Sequence, residues 1–394
     1  MTMTRTQQDR IRFVLTLIVL WLAGLYLRLP ILIVPPLEPL ISNTLDLGAV
    51  ATGALTTMPM LMLSVGAIAG SSAVGRLGAR TAVVLGLTLI ALASAARGLA
   101  PPITVLFVAT LAVGLGVAMM QPALAALANA LTPARVALAV GIYMNGMYAG
   151  EFASAGLTRM TLLPLLGNDW RLVLLCVSAP AILIAVAVAF LRAPGSAGVT
   201  ETAPQRPPLW PDWRNPVMWQ LGFLLSATSV LFVGTNAYMA KIVGSSDSEL
   251  AAALFWFNLS QVVVSLVMLS VANRLVMRRG PLIATMLASL AGALVFVFVG
   301  GGIGLVAAFV LGMATALQLT LVVMAAPYLA PVGETGRMSA GIFTIGYSLA
   351  FFIPLIGGGV AEWTGVSWTA MLPMIGYAMA VLPIAFTIRL RRPG

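Results

Sequence analysis

The sequence predicts an all-α integral membrane protein, with twelve transmembrane helices in two pseudo-symmetric six-helix bundles. Three observations carry the prediction: a composition that suits lipid better than water, a dozen apolar runs of bilayer length, and arginines gathered on one side of those runs. Of 394 residues, 60% are hydrophobic and only 8% are charged, whereas soluble domains carry about a quarter charged residues. The 38 Gly and 24 Pro fall inside apolar runs, where membrane helices tolerate proline and use small residues for close packing.

A bilayer core is crossed by about 20 apolar residues as helix. Apolar runs between polar or Pro/Gly breaks place spans at 13–35, 49–72, 81–98, 103–129, 136–159 and 172–192. A second set follows at 217–240, 250–272, 281–299, 303–326, 338–361 and 367–388. The Pro-rich, mixed-charge stretch between them reads as a linker, giving bundles over 1–192 and 216–394 joined by a cytoplasmic loop at 193–215.

The positive-inside rule orients these spans. With the amino terminus cytoplasmic, sixteen basic residues fall inside: Arg5, Arg10, Arg12, Arg76, Arg80, Arg135, Arg192, Arg206, Arg214, Arg274, Arg278, Arg279, Arg337, Arg389, Arg391 and Arg392. Only Arg97, Arg159, Arg171 and Lys241 fall outside, and Arg28 lies within a span. A miscounted span before the linker would scramble this asymmetry, so both termini are expected in the cytoplasm. No cleavable signal peptide is needed, because the run from Phe13 to Val34 is long enough to span and is followed by further spans.

Several function classes are excluded. The net charge of +10 is scattered singly at span ends rather than gathered on a face, which argues against nucleic acid. Cys176 is the single cysteine and there is no histidine, so disulfide frameworks and the usual metal ligands are missing and no cofactor is expected. No nucleophile–base pair and no Gly-rich phosphate loop with its lysine occurs, which argues against an enzyme or an ATP-driven pump.

The two halves resemble one another. Gly141-Ile142-Tyr143 followed by Gly146 has its counterpart in Gly341-Ile342-Phe343 followed by Gly346, each opening the fifth span of its half. The loop after each second span is short and basic, Gly75 to Arg80 and Asn273 to Arg279. Duplicated six-helix halves resemble the major facilitator superfamily, and Arg76-x-Gly78-x-Arg80 resembles its loop signature, with Gly75 where an acid is usual. Thr110 likewise stands where the fourth helix often carries an arginine. Leu27-Arg28-Leu29-Pro30 with Val34-Pro35-Pro36-Leu37 and Pro39, then Gly114-Leu115-Gly116 with Gln121, is similar to the bacterial cyanate and 2-nitroimidazole transporter family. The glycine-spaced helix from Gly141 to Gly156 adds to that similarity, and Glu151 departs from it.

This resemblance implies a monomeric carrier in the bacterial cytoplasmic (inner) membrane. It implies a solute site near the midplane between the halves, reached by alternating access. Two ionisable side chains stand deep in spans. Arg28 lies 15 residues after Phe13 and Glu151 lies 15 after Val136, so at about 1.5 Å per residue they share a depth. A mid-bilayer charge costs at least about 2.5–3.5 kcal/mol and needs a partner. One reading is a static ion pair. The other makes Arg28 a hook for an anion, with Glu151 competing for it or carrying a proton. Gln121, and its approximate counterpart Gln318, come next as solute contacts, with an interhelical hydrogen bond as the plain alternative.

Tyr143, Asn145, Tyr148 and Tyr347 are further candidates against a packing role, and Asn236, Asn258 and Gln261 are weaker ones. Phe255, Trp256 and Phe257 read as a lipid-facing or packing patch, and Pro59, Pro122, Pro180 and Pro354 as bend points. Arg76, Arg80, Arg274, Arg278 and Arg279 read either as topology signals or as gating residues. The expected function is movement of a small solute across the lipid bilayer, foremost a small anion such as cyanate or a small organic acid. The alternative is proton-coupled export of small neutral or nitro-aromatic compounds.

Overall fold

The computed structural model describes residues 5–47, 49–99, 102–191, 210–243 and 247–390, with some side chains inside helices also left aside. Most of the expected linker, with Arg192 and Arg206, lies outside the described residues, as do Arg391 and Arg392. Regular structure among the described residues is helical throughout. The amino-terminal part runs α1 (Arg5–Leu25), α2 (Leu29–Leu32), α3 (Val34–Leu45), α4 (Ala49–Leu77), α5 (Ala79–Gly98), α6 (Ile103–Leu131) and α7 (Val136–Phe152). A π-helical segment (Ala153–Leu162), α8 (Leu163–Leu165) and α9 (Trp170–Phe190) complete it. The carboxy-terminal part runs α10 (Pro216–Val243), α11 (Asp247–Leu275), α12 (Arg279–Phe298), α13 (Gly301–Leu329), α14 (Thr335–Thr364) and α15 (Leu372–Thr387).

Ten of the described helical stretches are long and apolar enough to cross a bilayer. The second expected span is α4. The fifth is α7, which gives way to the π segment after 17 residues.

The first span departs most from its expected form. Rather than one helix over 13–35, it is α1, a turn at 26–28, then α2 and α3. Pro30 has no N–H to return to the carbonyl four residues back, and its ring crowds that carbonyl. The chain answers by tightening, with Tyr26 N bonded to Ala23 O at 3.2 Å, Leu27 N to Gly24 O at 2.9 Å and Arg28 N to Leu25 O at 3.4 Å. These are three-residue steps, the tighter pattern that helices adopt where the regular ladder fails.

The chain divides into two compact units, residues 1–210 with 334–337 and residues 211–333 with 338–394. In the first, α6 packs on α4 and α5, α5 on α9, and α1 on α7. In the second, α13 packs on α11 and α12, and α12 on α15. Three of the four pairings of the first unit thus have counterparts in the second.

Glycines set how closely the first and fifth spans of each half approach. A β-carbon at Gly146 would fall on the backbone oxygen of Trp21, one at Gly150 on that of Leu25, and one at Gly24 on that of Tyr143. In the second unit, β-carbons at Gly341 and Gly346 would meet the side chains of Met218 and Leu225 instead. The glycines between the first and fifth spans therefore give backbone-to-backbone contact in one unit and side-chain packing in the other.

Large apolar side chains remain on the outside: Leu183 is 70% exposed, Phe190 79% and Ile303 64%. In water such a surface is an aggregation liability, and in hydrocarbon it is the expected face.

Candidate functional site

Three charged side chains are buried among the described residues, Arg28, Arg97 and Glu151, and all three belong to the first unit. Arg28 caps α2 with φ −127 and ψ −40, outside helical geometry. The break made by Pro30 thus puts an arginine on irregular backbone inside a span. Non-helical backbone at membrane depth persists only where protein or a polar cavity surrounds it. Glu151 is brought to the break by the glycine contact just before it, since Gly150 lies against the Leu25 carbonyl.

Arg28 Nε and Glu151 Oε2 are 3.9 Å apart, with side chains 6% and 4% exposed. That separation is Coulombic contact, longer than the about 2.7–2.9 Å of a charge-assisted hydrogen bond.

Arg97 is the residue whose burial sequence reasoning missed. It is one of the basic residues expected on the outer side, and it is fully buried in the last turn of α5. Its Nη2 donates to the Pro30 carbonyl at 3.1 Å and to Ser94 Oγ at 3.3 Å. An arginine next to Gly98 and Leu99 at the end of an apolar run looks like a topology signal, and no local pattern marks it otherwise.

The polar candidates of α6 and α7 are also buried: Gln121 is 2% exposed, Tyr143 1%, Tyr148 1% and Asn145 6%. Asn145 Oδ1 accepts a 2.7 Å hydrogen bond from Trp21 Nε1, which ties α7 to α1 one turn before the break.

In the second unit, the buried polar side chains among the described residues are all neutral. Gln318 Nε2 donates to the Leu224 carbonyl at 3.1 Å and lies 3.4 Å from Met286 Sδ, so its amide bridges α13 to α10 and α12. Tyr347 stacks on Phe343 with ring centres 5.9 Å apart. Asn236 and Asn258 donate to carbonyls one turn back in their own helices, and Gln261 Nε2 donates to Asn258 Oδ1 at 3.4 Å. The aromatic patch divides: Phe255 and Trp256 are about half exposed, whereas Phe257 is buried and stacked on Phe232 at 5.4 Å.

Arg76, Arg274, Arg278 and Arg279 are exposed and Arg80 is half-buried. Among the described residues none of these five has a carboxylate at ion-pair distance; the loop pair present is Arg337 Nη1 with Glu334 Oε2 at 2.8 Å.

A groove of about 430 Å³ opens beside the break, between α1, the π segment and α9. Its lining, including Leu22, Tyr26, Leu157, Val177 and Pro180, is nearly all apolar. Tyr26 closes one edge by donating its hydroxyl to the Val177 carbonyl at 2.7 Å.

Comparison with known proteins now bears on this arrangement. No curated protein matches the sequence. Among solved structures, the chain is similar to the transporter FucP in its outward conformation, with a TM-score of 0.72 at 15% identity over 94% of this chain and 97% of that one. It is similar to the human organic anion transporter MFSD10, with a TM-score of 0.71 at 15% identity over 94% of this chain and 99% of that one. A variant of the E. coli fucose:proton symporter FucP gives 0.70 at 15% identity over 95% and 98%. At such identity these likenesses speak for the fold, and none of them points to the cyanate and 2-nitroimidazole transporters. The sequence profile of the Major Facilitator Superfamily matches residues 16–240, more than half of the chain. The chain therefore belongs to the Major Facilitator Superfamily, and is a multi-pass membrane transporter rather than an enzyme.

Proposed function

We propose that the chain is a secondary active transporter of small anions, working by alternating access, with Arg28 as the cationic anchor for the solute. The observation that carries this reading is a guanidinium, 5% exposed, on the broken first helix with Glu151 held 3.9 Å away. A guanidinium stays protonated when buried and offers a planar fork of donors that suits small oxyanions and carboxylates. In this reading an incoming anion displaces the Glu151 carboxylate from Arg28, and protonation of Glu151 would release Arg28 in the same way. Solved structures of this fold include both an organic anion transporter and a fucose:proton symporter, so the fold alone does not choose the cargo and the choice rests on Arg28.

Gln121, Tyr143, Asn145 and Tyr148 are the further polar groups assigned to the solute in this reading, with Tyr347 of the second unit, while Gln318 is assigned to the interhelical bond it makes. Arg76, Arg80, Arg274 and Arg278 are assigned to gating. The arginine asymmetry supports a cytoplasmic location for both termini, and the likeness of the first, fourth and fifth helices supports a cyanate-like or small organic acid as cargo in a bacterial inner membrane.

The test is uptake into proteoliposomes, and thermal shift in detergent, against a panel of small anions and neutral nitro-heterocycles. Loss of a charge-assisted contact of about 1.5–3 kcal/mol predicts that Arg28→Ala weakens the anion response by roughly 10- to 100-fold. Equal anion response in wild type and Arg28→Ala, or stabilisation of both by neutral compounds alone, overturns the anion reading and leaves export of uncharged compounds.

A further inference from the structure

We propose that Arg97, with the broken segment of helix 1, forms a second binding site, for a compact monovalent anion, separate from the Arg28–Glu151 pair. The inference does not depend on Arg28 being the solute anchor. It starts from the donors of one side chain. Arg97 is fully buried. Its Nη2 serves the Pro30 carbonyl and Ser94 Oγ, while Nε and Nη1 have no hydrogen-bond partner among the described residues. Those two nitrogens carry three N–H donors. A lysine in such a position could lose its proton, but a guanidinium keeps its charge and must find acceptors.

The charge of Arg97 then bears on the ligand. Two arginines and one glutamate are buried among the described residues. Glu151 stands beside Arg28, and no described carboxylate lies within ion-pair distance of Arg97. Among the described residues Arg97 is thus a buried positive charge with no carboxylate beside it. Breaking or omitting one partner of a buried pair is the costly case in protein electrostatics, because the remaining charge has neither water nor counter-charge. A single guanidinium with no described carboxylate beside it calls for a monovalent ligand. The completeness of the burial calls for a compact one, of halide or small linear or planar oxyanion size, and excludes bulky organic acids. The carbonyl that Arg97 holds lies two residues past Arg28, so an anion here would also stiffen the backbone that carries Arg28.

The experiment follows the melting temperature of the purified full-length chain while sodium chloride replaces sodium gluconate at constant ionic strength and pH. The wild type is expected to gain a few degrees saturably with chloride. Arg97→Met should lose that gain and Arg28→Met should keep it. Arg97→Lys, which retains charge but not the fork, should need about tenfold more chloride. Should Arg97→Met fail to fold, the wild type in bromide answers directly, through an anomalous scattering peak within hydrogen-bonding reach of Arg97 Nε or Nη1. Labelled chloride flux into liposomes distinguishes an anion in transit from a resident one, and either identity supports the site. A wild type indifferent to chloride overturns the proposal, as does a gain unchanged in Arg97→Met or bromide found only elsewhere. A gain abolished by Arg28→Met and kept by Arg97→Met also overturns it, while leaving the proposed role of Arg28 intact.

Discussion

Gly150 lies so close to Leu25 that a β-carbon on it would occupy the place of the Leu25 carbonyl oxygen, and this contact sets the next residue, Glu151, beside the break in helix 1. With Gly24 and Gly146 it forms a seam along which α1 and α7 meet backbone to backbone. The buried charge pair therefore rests on three residues that have no side chain.

That seam predicts an inequality between the two halves. Gly146→Ala must push apart two helix backbones, whereas Gly341→Ala meets the flexible side chain of Met218, which can turn away. Overpacking costs about 1–3 kcal/mol where the neighbour cannot yield, so Gly146→Ala should lower the melting temperature clearly more than Gly341→Ala. Equal losses would mean that the seam relaxes freely.

The fold was legible in the sequence because the bilayer imposes length and polarity on every span. The repeat showed in the glycine strings at Gly141 and Gly341, of which Gly146, Gly341 and Gly346 stand in close helix contacts. What escaped was the local geometry. Pro30 was visible, but whether a proline kinks a membrane helix or stops it depends on partners, and here Arg97 holds the freed segment through the Pro30 carbonyl. Arg97 itself was hidden because an arginine at a span end normally reaches solvent. The π-helical winding of residues 153–162 has no marker in the sequence, and we have no physical account of it. Phe257, grouped by sequence with Phe255 and Trp256, turned inward because successive helical residues point about 100° apart.

The 2.7 Å bond from Trp21 to Asn145 predicts a coupled pair. Trp21→Phe keeps the aromatic volume and removes only the donor, and should cost about 1 kcal/mol. Combined with Asn145→Ala, the losses should fall short of their sum by about 0.5 kcal/mol or more. Strict additivity in a double-mutant cycle of melting temperatures would show that the bond contributes nothing.

Gln318 offers a test of structural against solute-binding roles. Its amide nitrogen is already engaged by the Leu224 carbonyl, so Gln318→Met, which conserves volume, should lower stability by about 1 kcal/mol and leave the apparent KM for solute unchanged. Gln121→Met should raise KM if that amide meets the solute. A rise in KM for Gln318→Met with no loss of stability would move Gln318 into the solute site.

Glu151→Gln bears on the coupling of proton and solute. The amide keeps the shape of the carboxyl and most of its hydrogen-bonding capacity, so α7 and its glycine seam should stay in place. What it removes is the negative charge 3.9 Å from Arg28. Two consequences follow if Glu151 competes with the solute. Apparent anion affinity should rise by up to about tenfold, because no carboxylate has to be displaced. The dependence of anion affinity on pH should also flatten, because the competitor can no longer be switched by protonation. A static pair predicts the opposite pattern: lower thermal stability, since a carboxylate 3.9 Å from a buried guanidinium is lost, and a pH profile that matches the wild type. Measuring anion-induced thermal shifts from acidic to alkaline pH, alongside unliganded melting temperatures, separates the two on the same samples.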